Sequence, residues 1–137
     1  MSMKYFLIVL VALFMLDCSS KLAPDAYWGR NRWVVVEMKG VPVQLSGGRN
    51  DAYITFNVTD KKFNGNGGCN QINGNYSVDK KDLKFSEIIT TRMSCPDIAF
   101  ENALLELFGK VDGYEVKNDD LVLKDDKDKV LVLRARY

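Results

Sequence analysis

From Trp33 onward the chain alternates apolar and polar residues in short runs, each closed by a turn signal, and this rhythm restricts the fold more than any other feature. Tyr53 to Val58 (YITFNV) shows it best, with Ile54, Phe56 and Val58 on one side and Tyr53, Thr55 and Asn57 on the other. Such a segment is a strand with one buried face and one wet face. Trp33 to Met38 is rich in β-branched residues and ends at the breaker Lys39-Gly40-Val41-Pro42. Lys62 to Asn64, Asn75 to Val78, Leu83 to Phe85 and Ile88 to Ser94 continue the pattern, separated by Asn-Gly pairs, including Asn73-Gly74, and by Asp79-Lys80-Lys81-Asp82. Tyr114 to Val116, Leu121 to Lys124 and Val130 to Arg134 follow, joined by Asn118-Asp119-Asp120 and by Asp125 to Asp128.

The period changes once. Proline at Pro96 and aspartate at Asp97 favour a helix start, and Ile98, Leu104, Leu105 and Phe108 form an apolar stripe with Glu101, Asn102 and Glu106 between them. This predicts one helix at about 96–109. Eight or nine short antiparallel strands in a chain of 137 residues are too much sheet to lie open and flat. The expected fold is therefore mainly β, a small cracked or closed antiparallel barrel with the helix covering an open end or a flank.

The amino terminus reads as an address. Lys4 precedes the apolar run Tyr5 to Leu16, well short of the roughly 20 residues that span a bilayer. The run ends at Asp17-Cys18-Ser19-Ser20, which resembles the lipobox of bacterial lipoproteins, although Asp17 departs from the small residue preferred there. The expected division is a signal peptide at 1–17, a lipid-anchored polar tether at 18–27 and a folded domain at 28–137. Acyl chains on Cys18 would hold the protein on a membrane, each buried methylene contributing about 0.8 kcal/mol. With Cys18 so used, Cys69 and Cys95 remain, and they either pair or persist as buried thiols. A bridge there would stabilise by roughly 3 kcal/mol and would form in an oxidising compartment.

Composition narrows the chemistry. There is no histidine, which removes Ser-His-Asp and Cys-His nucleophile systems and histidine-bound metals. Nineteen basic against 18 acidic residues leave a formal charge of +1, too small to suggest a nucleic-acid partner. Gly65-Asn66-Gly67-Gly68 begins like a phosphate-binding loop, but neither the lysine and hydroxyl of such a loop nor a following helix is present, so its glycines and asparagines are read as turn formers. Asp119, Asp120, Asp125, Asp126 and Asp128 lie where solvated hairpin turns are expected, and Asp126-Lys127-Asp128-Lys129-Val130 breaks the calcium-loop pattern.

Several blocks at consistent spacings carry a family resemblance: Gly67-Gly68-Cys69-Asn70, Gly74-Asn75-Tyr76, Leu83-Lys84-Phe85 and Thr90-Thr91-Arg92-Met93-Ser94-Cys95-Pro96, with Glu101 in the helix. Together with Trp33 and Gly40-Val41-Pro42-Val43 upstream and Leu121-Val122-Leu123 downstream, they resemble the META domain, or HslJ-like, family over about residues 28–136. The resemblance implies a compact lipocalin-like or cracked barrel found in envelope lipoproteins of Gram-negative bacteria. Some members are linked to heat or antibiotic stress, and some resemble secretion-system pilot lipoproteins in shape. It implies no catalytic reaction. Carried over by position, the motif residues are Gly68, Cys69, Asn70, Gly74, Tyr76, Thr91, Arg92, Met93, Cys95 and Glu101.

On the strand-proline-helix spacing, Thr91 and Met93 share one strand face and Arg92 takes the other, so Arg92 is expected to pair with Glu101 within about 4 Å; the rival role is an arginine in a ligand pocket. The functional expectation is a lipid-anchored envelope protein, facing the periplasm with the outer membrane favoured over the inner. Its domain would bind an apolar ligand, a lipid or an envelope protein and would act as a monomer. No catalytic residue, metal or cofactor is expected, and the alternatives are a carboxylate-based enzyme or a purely structural envelope protein.

Overall fold

The structure, a computed structural model, describes residues 22–137. The expected signal peptide and Cys18 lie outside the described residues. A short 3-10 turn, Trp28–Arg30, leads into β1 (Arg32–Met38), β2 (Val41–Pro42), β3 (Tyr53–Asn57), β4 (Lys62–Asn66), β5 (Gln71–Asp79) and β6 (Asp82–Thr90). The helix α1 (Ile98–Lys110) follows, and β7 (Gly113–Lys117), β8 (Asp120–Asp125) and β9 (Asp128–Arg136) complete the chain.

All pairings are antiparallel, in the order β2-β1-β3-β4-β5-β6-β7-β8-β9, and β1 also pairs with β9 from Arg32↔Arg136 to Met38↔Leu131. The first and last long strands thus close the sheet into a ring, which removes most of the edge that an open sheet would leave. The ring is cracked in one place. The β6–β7 ladder holds at the single pair Asp82↔Gly113, and α1 packs against β6 beyond it.

Alternation fills the interior. Ile54, Phe56, Phe63, Ile72, Tyr76, Leu83, Phe85, Leu121, Leu123, Leu131 and Leu133 all point inward and are buried. Ring centroids step through the barrel: Trp28 to Phe56 at 4.9 Å, Phe56 to Phe85 at 6.3 Å, and Phe85 to Phe108 of α1 at 5.1 Å. Each such side chain contributes roughly 1.5–3 kcal/mol by leaving water. The barrel is therefore packed solid by an aromatic column, plugged at one end by α1 and at the other by the 3-10 turn.

The hairpin turns fall where the sequence places them. Lys39, Lys80, Asn118 and Asp126 open two-residue hairpins and Lys61 ends the four-residue β3–β4 loop, all with left-handed φ values between 48° and 56°. Two local expectations fail. Asn73-Gly74 is no turn but the middle of β5, and Leu83 to Thr90 is one strand, bulged at Glu87 (φ 51°) where the β5–β6 register shifts between Asn73 and Asn75. A Cβ on Gly74 would sit 2.6 Å from the Phe63 ring, so this glycine makes room for a core side chain.

Candidate functional site

The motif residues divide between the two ends of the barrel. At the helix end, the β4–β5 turn supplies Gly68, Cys69 and Asn70, the segment after β6 supplies Thr91, Met93 and Cys95, and α1 supplies Glu101. Glu101, Leu104 and Phe108 share one helix face at i, i+3 and i+7, which carries the glutamate inward with the apolar side chains. Glu101 is 2% exposed. Its Oε2 accepts hydrogen bonds from the backbone N–H of Cys69 (3.0 Å) and Asn70 (2.6 Å), and its Oε1 accepts one from Asn70 Nδ2 (2.7 Å). A buried carboxylate needs such partners, and here backbone and amide donors provide them in place of a cation.

Asn70 ties the third segment in. Its Oδ1 accepts from Met93 N (2.6 Å) and from Thr91 Oγ1 (3.0 Å), while Thr91 Oγ1 accepts from Gln71 N (3.0 Å). A side-chain amide is required there, because one atom accepts from the β6–α1 segment and the other donates to the helix. The turn also has to approach Glu101 closely. A Cβ on Gly67 would lie 2.7 Å from Glu101 Cγ, and Gly68 adopts φ +110°. The Cys69–Cys95 disulfide, with Cα atoms 6.2 Å apart, fastens the same two segments covalently.

The expected Arg92–Glu101 ion pair does not form. Among the described residues Arg92 enters no salt bridge, and its side chain is exposed. Thr91 to Cys95 has left the sheet, so strand alternation no longer sets which side Arg92 takes, and the donors of the β4–β5 turn already occupy Glu101. Beside the disulfide an open cleft of about 620 Å³ is lined by Val43, Ala52, Met93, Pro96 and Phe100. Met93 is 57% exposed there.

Tyr76 belongs to the opposite end. Its hydroxyl donates to Asp25 Oδ2 (2.6 Å), and Lys61 Nζ bonds the same oxygen. Asp25, which the sequence reading assigns to a polar tether, is 1% exposed and packs in the barrel mouth beside Trp28. Burial alone would raise its pKa, but hydrogen bonds from Lys61 and Tyr76, with the Lys61 charge, outweigh that and lower it. Burial, and then the bond to Asp25 and its charge, push the Tyr76 hydroxyl up. Sequence reasoning missed Asp25, and the nearest signal for it was Trp28, an aromatic too large to belong to a tether.

Among the described residues no group of three or more Cys, Asp or Glu is placed to hold a metal ion, and no helix is long and apolar enough to cross a membrane.

A nine-stranded antiparallel ring with one plugging helix and a stapled turn defines a small β-barrel domain class. The META domain family matches residues 27–137, and the chain belongs to that family. Three solved structures share the fold. One is an NMR structure at 20% identity, covering 83% of this chain and 95% of that one with a TM-score of 0.64. Another is an NMR structure of a protein from Burkholderia xenovorans at 21% identity, covering 86% and 94% with a TM-score of 0.64. The third is a crystal structure of a DUF4847 family protein from Bacteroides vulgatus at 19% identity, covering 84% and 98% with a TM-score of 0.63. No curated protein matches.

Proposed function

We propose that this chain is a lipid-anchored envelope protein whose META domain is a non-enzymatic interaction module, touching a partner with its outer surface instead of enclosing a ligand. The filled interior carries the reading: the aromatic column from Trp28 to Phe108 occupies the space where a lipocalin-like barrel would hold an apolar molecule. Both buried carboxylates are already engaged, Glu101 by backbone and amide donors and Asp25 by Lys61 and Tyr76, which leaves neither free for acid–base work. The open cleft beside the disulfide, with Met93 exposed, is the surface of choice for a partner. Anchoring through Cys18 follows from the lipobox-like stretch, and a stress-related role in the periplasm-facing envelope follows from the family resemblance.

The test is a photo-crosslinking residue placed at Met93 in intact envelopes, with Lys80 at the opposite end as control. The expected result is a discrete protein adduct from position 93, none from position 80, and loss of the adduct in Cys18→Ala. Adducts from both positions alike, or from neither, would overturn the reading in favour of a purely structural role. Mass measurement of the mature protein checks the anchor separately, by the presence or absence of acyl chains on Cys18.

A further inference from the structure

The outer wall of the barrel carries a second cleft, of about 560 Å³, between β1, the end of β9 and the Ser46-Gly47-Gly48 loop. Arg32 and Arg136 both line it, and they are Cα partners across the β1–β9 ladder. Their side chains therefore leave the same face of the sheet from backbones about 5 Å apart. Like charges placed directly opposite each other destabilise a ladder. Among the described residues neither arginine has a carboxylate within ion-pair distance. Asp51, the acid that lines the cleft, has both oxygens occupied, by Ser46 N (2.7 Å), Ser46 Oγ (2.9 Å) and Gly47 N (2.8 Å). Arg32 is also held in place: its guanidinium lies 3.6 Å from the centre of the Tyr53 ring, and its buried Nε has no hydrogen-bond partner.

We propose that this cleft binds a phosphoryl group between the Arg32 and Arg136 guanidiniums. Two cations lining one cleft suit a tetrahedral group with several charged oxygens better than a single carboxylate, because each guanidinium can take a separate oxygen. The Asp51 carboxylate feels the Arg32 charge and offsets part of the repulsion, and the ligand neutralises what remains. Arg32 needs little ordering on binding, because stacking on Tyr53 already fixes its plane.

Titration of the full, nitrogen-15-labelled chain with inorganic phosphate, read at the arginine Nε–H resonances, tests this. The expected result is a saturating shift at Arg32 and Arg136, with affinity reduced about tenfold in Arg136→Gln, the scale of one lost charge-assisted hydrogen bond. Arg32→Lys, which keeps the charge and loses the fork, weakens binding as well. Arg49→Gln, in the neighbouring loop but outside the cleft lining, leaves it unchanged. A parallel titration with glycerophosphoglycerol separates the sources: tighter binding of this diester points to a lipid headgroup, and tighter binding of phosphate points to a free phosphoryl compound. Absence of saturation, equal affinity in Arg136→Gln, or equal weakening by Arg49→Gln would overturn the proposal. Arg136 is exposed, so its variant keeps the test valid even if a change at Arg32 disturbs folding.

Discussion

The barrel buries one carboxylate at each end, and the two are neutralised by different means. Glu101 meets two backbone amides and the Asn70 side chain, on a turn that a disulfide holds in place. Asp25 meets a tyrosine hydroxyl and the ammonium of Lys61, whose side chain is 45% exposed. Donors of the first kind carry no charge that solvent ions screen, and two of the three are fixed by the main chain. Donors of the second kind include a solvated cation on a flexible stem, which salt and pH both reach. One end is thus a fixed joint and the other an adjustable latch.

Breaking the fixed joint has the largest expected effect. Glu101→Leu leaves the backbone N–H groups of Cys69 and Asn70 without their acceptor and the Asn70 side-chain amide with only its longer contact to Met93 O (3.5 Å). The expected loss is about 3–4 kcal/mol of unfolding free energy in denaturant titration. Glu101→Gln, which keeps one acceptor oxygen, falls between the two. A loss below about 1 kcal/mol in Glu101→Leu would show that the turn finds other acceptors and that the two ends are held alike.

The latch is the weaker and the titratable one. Asp25→Asn removes the ion pair but keeps an acceptor for Tyr76, with an expected cost of about 1–2 kcal/mol at neutral pH. Because the Asp25 pKa is lowered in the folded state, its contribution is present above the unfolded value, near pH 4, and is lost as pH falls through the lower folded value. Tyr76 runs the other way. Its raised pKa makes its contribution complete below about pH 10 and lost as pH rises further, since the unfolded chain ionises first. Melting temperature against pH is the measurement: Asp25→Asn should flatten the acid limb and Tyr76→Phe the alkaline limb. An unchanged acid limb in Asp25→Asn would move the acid sensitivity elsewhere in the molecule.

The difference between the ends also explains what the sequence made legible. Turns at Asp79–Asp82 and Asp125–Asp128, the alternation of Tyr53 to Val58 and the helix after Pro96 rest on local chemistry, and a local pattern suffices to find them. The Cys69–Cys95 pairing is one of two readings that cysteine counting leaves open, and the motif blocks name Asn70 and Glu101 without pairing them, since the expected partner of Glu101 is Arg92. The partners of Asp25 lie 36 and 51 residues away, and no spacing rule reaches that far. Asn73-Gly74 misled for a related reason: the pair has turn composition, but its glycine answers to the Phe63 ring on the neighbouring strand, a packing demand with no local signature. Closure into a barrel was expected from the quantity of sheet, because a ring leaves fewer bare edges than a flat sheet of the same strands, and from the family resemblance, but neither named β1 and β9 as the strands that meet.

The smallest effect is expected at Arg92, which sits beside the fixed joint without being part of it. Its charge has no partner within ion-pair distance among the described residues and its side chain is exposed. Arg92→Ala should therefore shift unfolding free energy by less than about 0.5 kcal/mol, the usual range for a surface position without a named interaction. The measurement separates two roles for an arginine that lies between the half-buried Thr91–Asn70 contact and the exposed Met93. A loss above about 1 kcal/mol would mean that Arg92 supports Glu101 after all, as its spacing from the helix first suggested. Unchanged stability together with a weakened Met93 crosslink would place it in the surface that the partner touches, where its charge acts on binding and not on the fold.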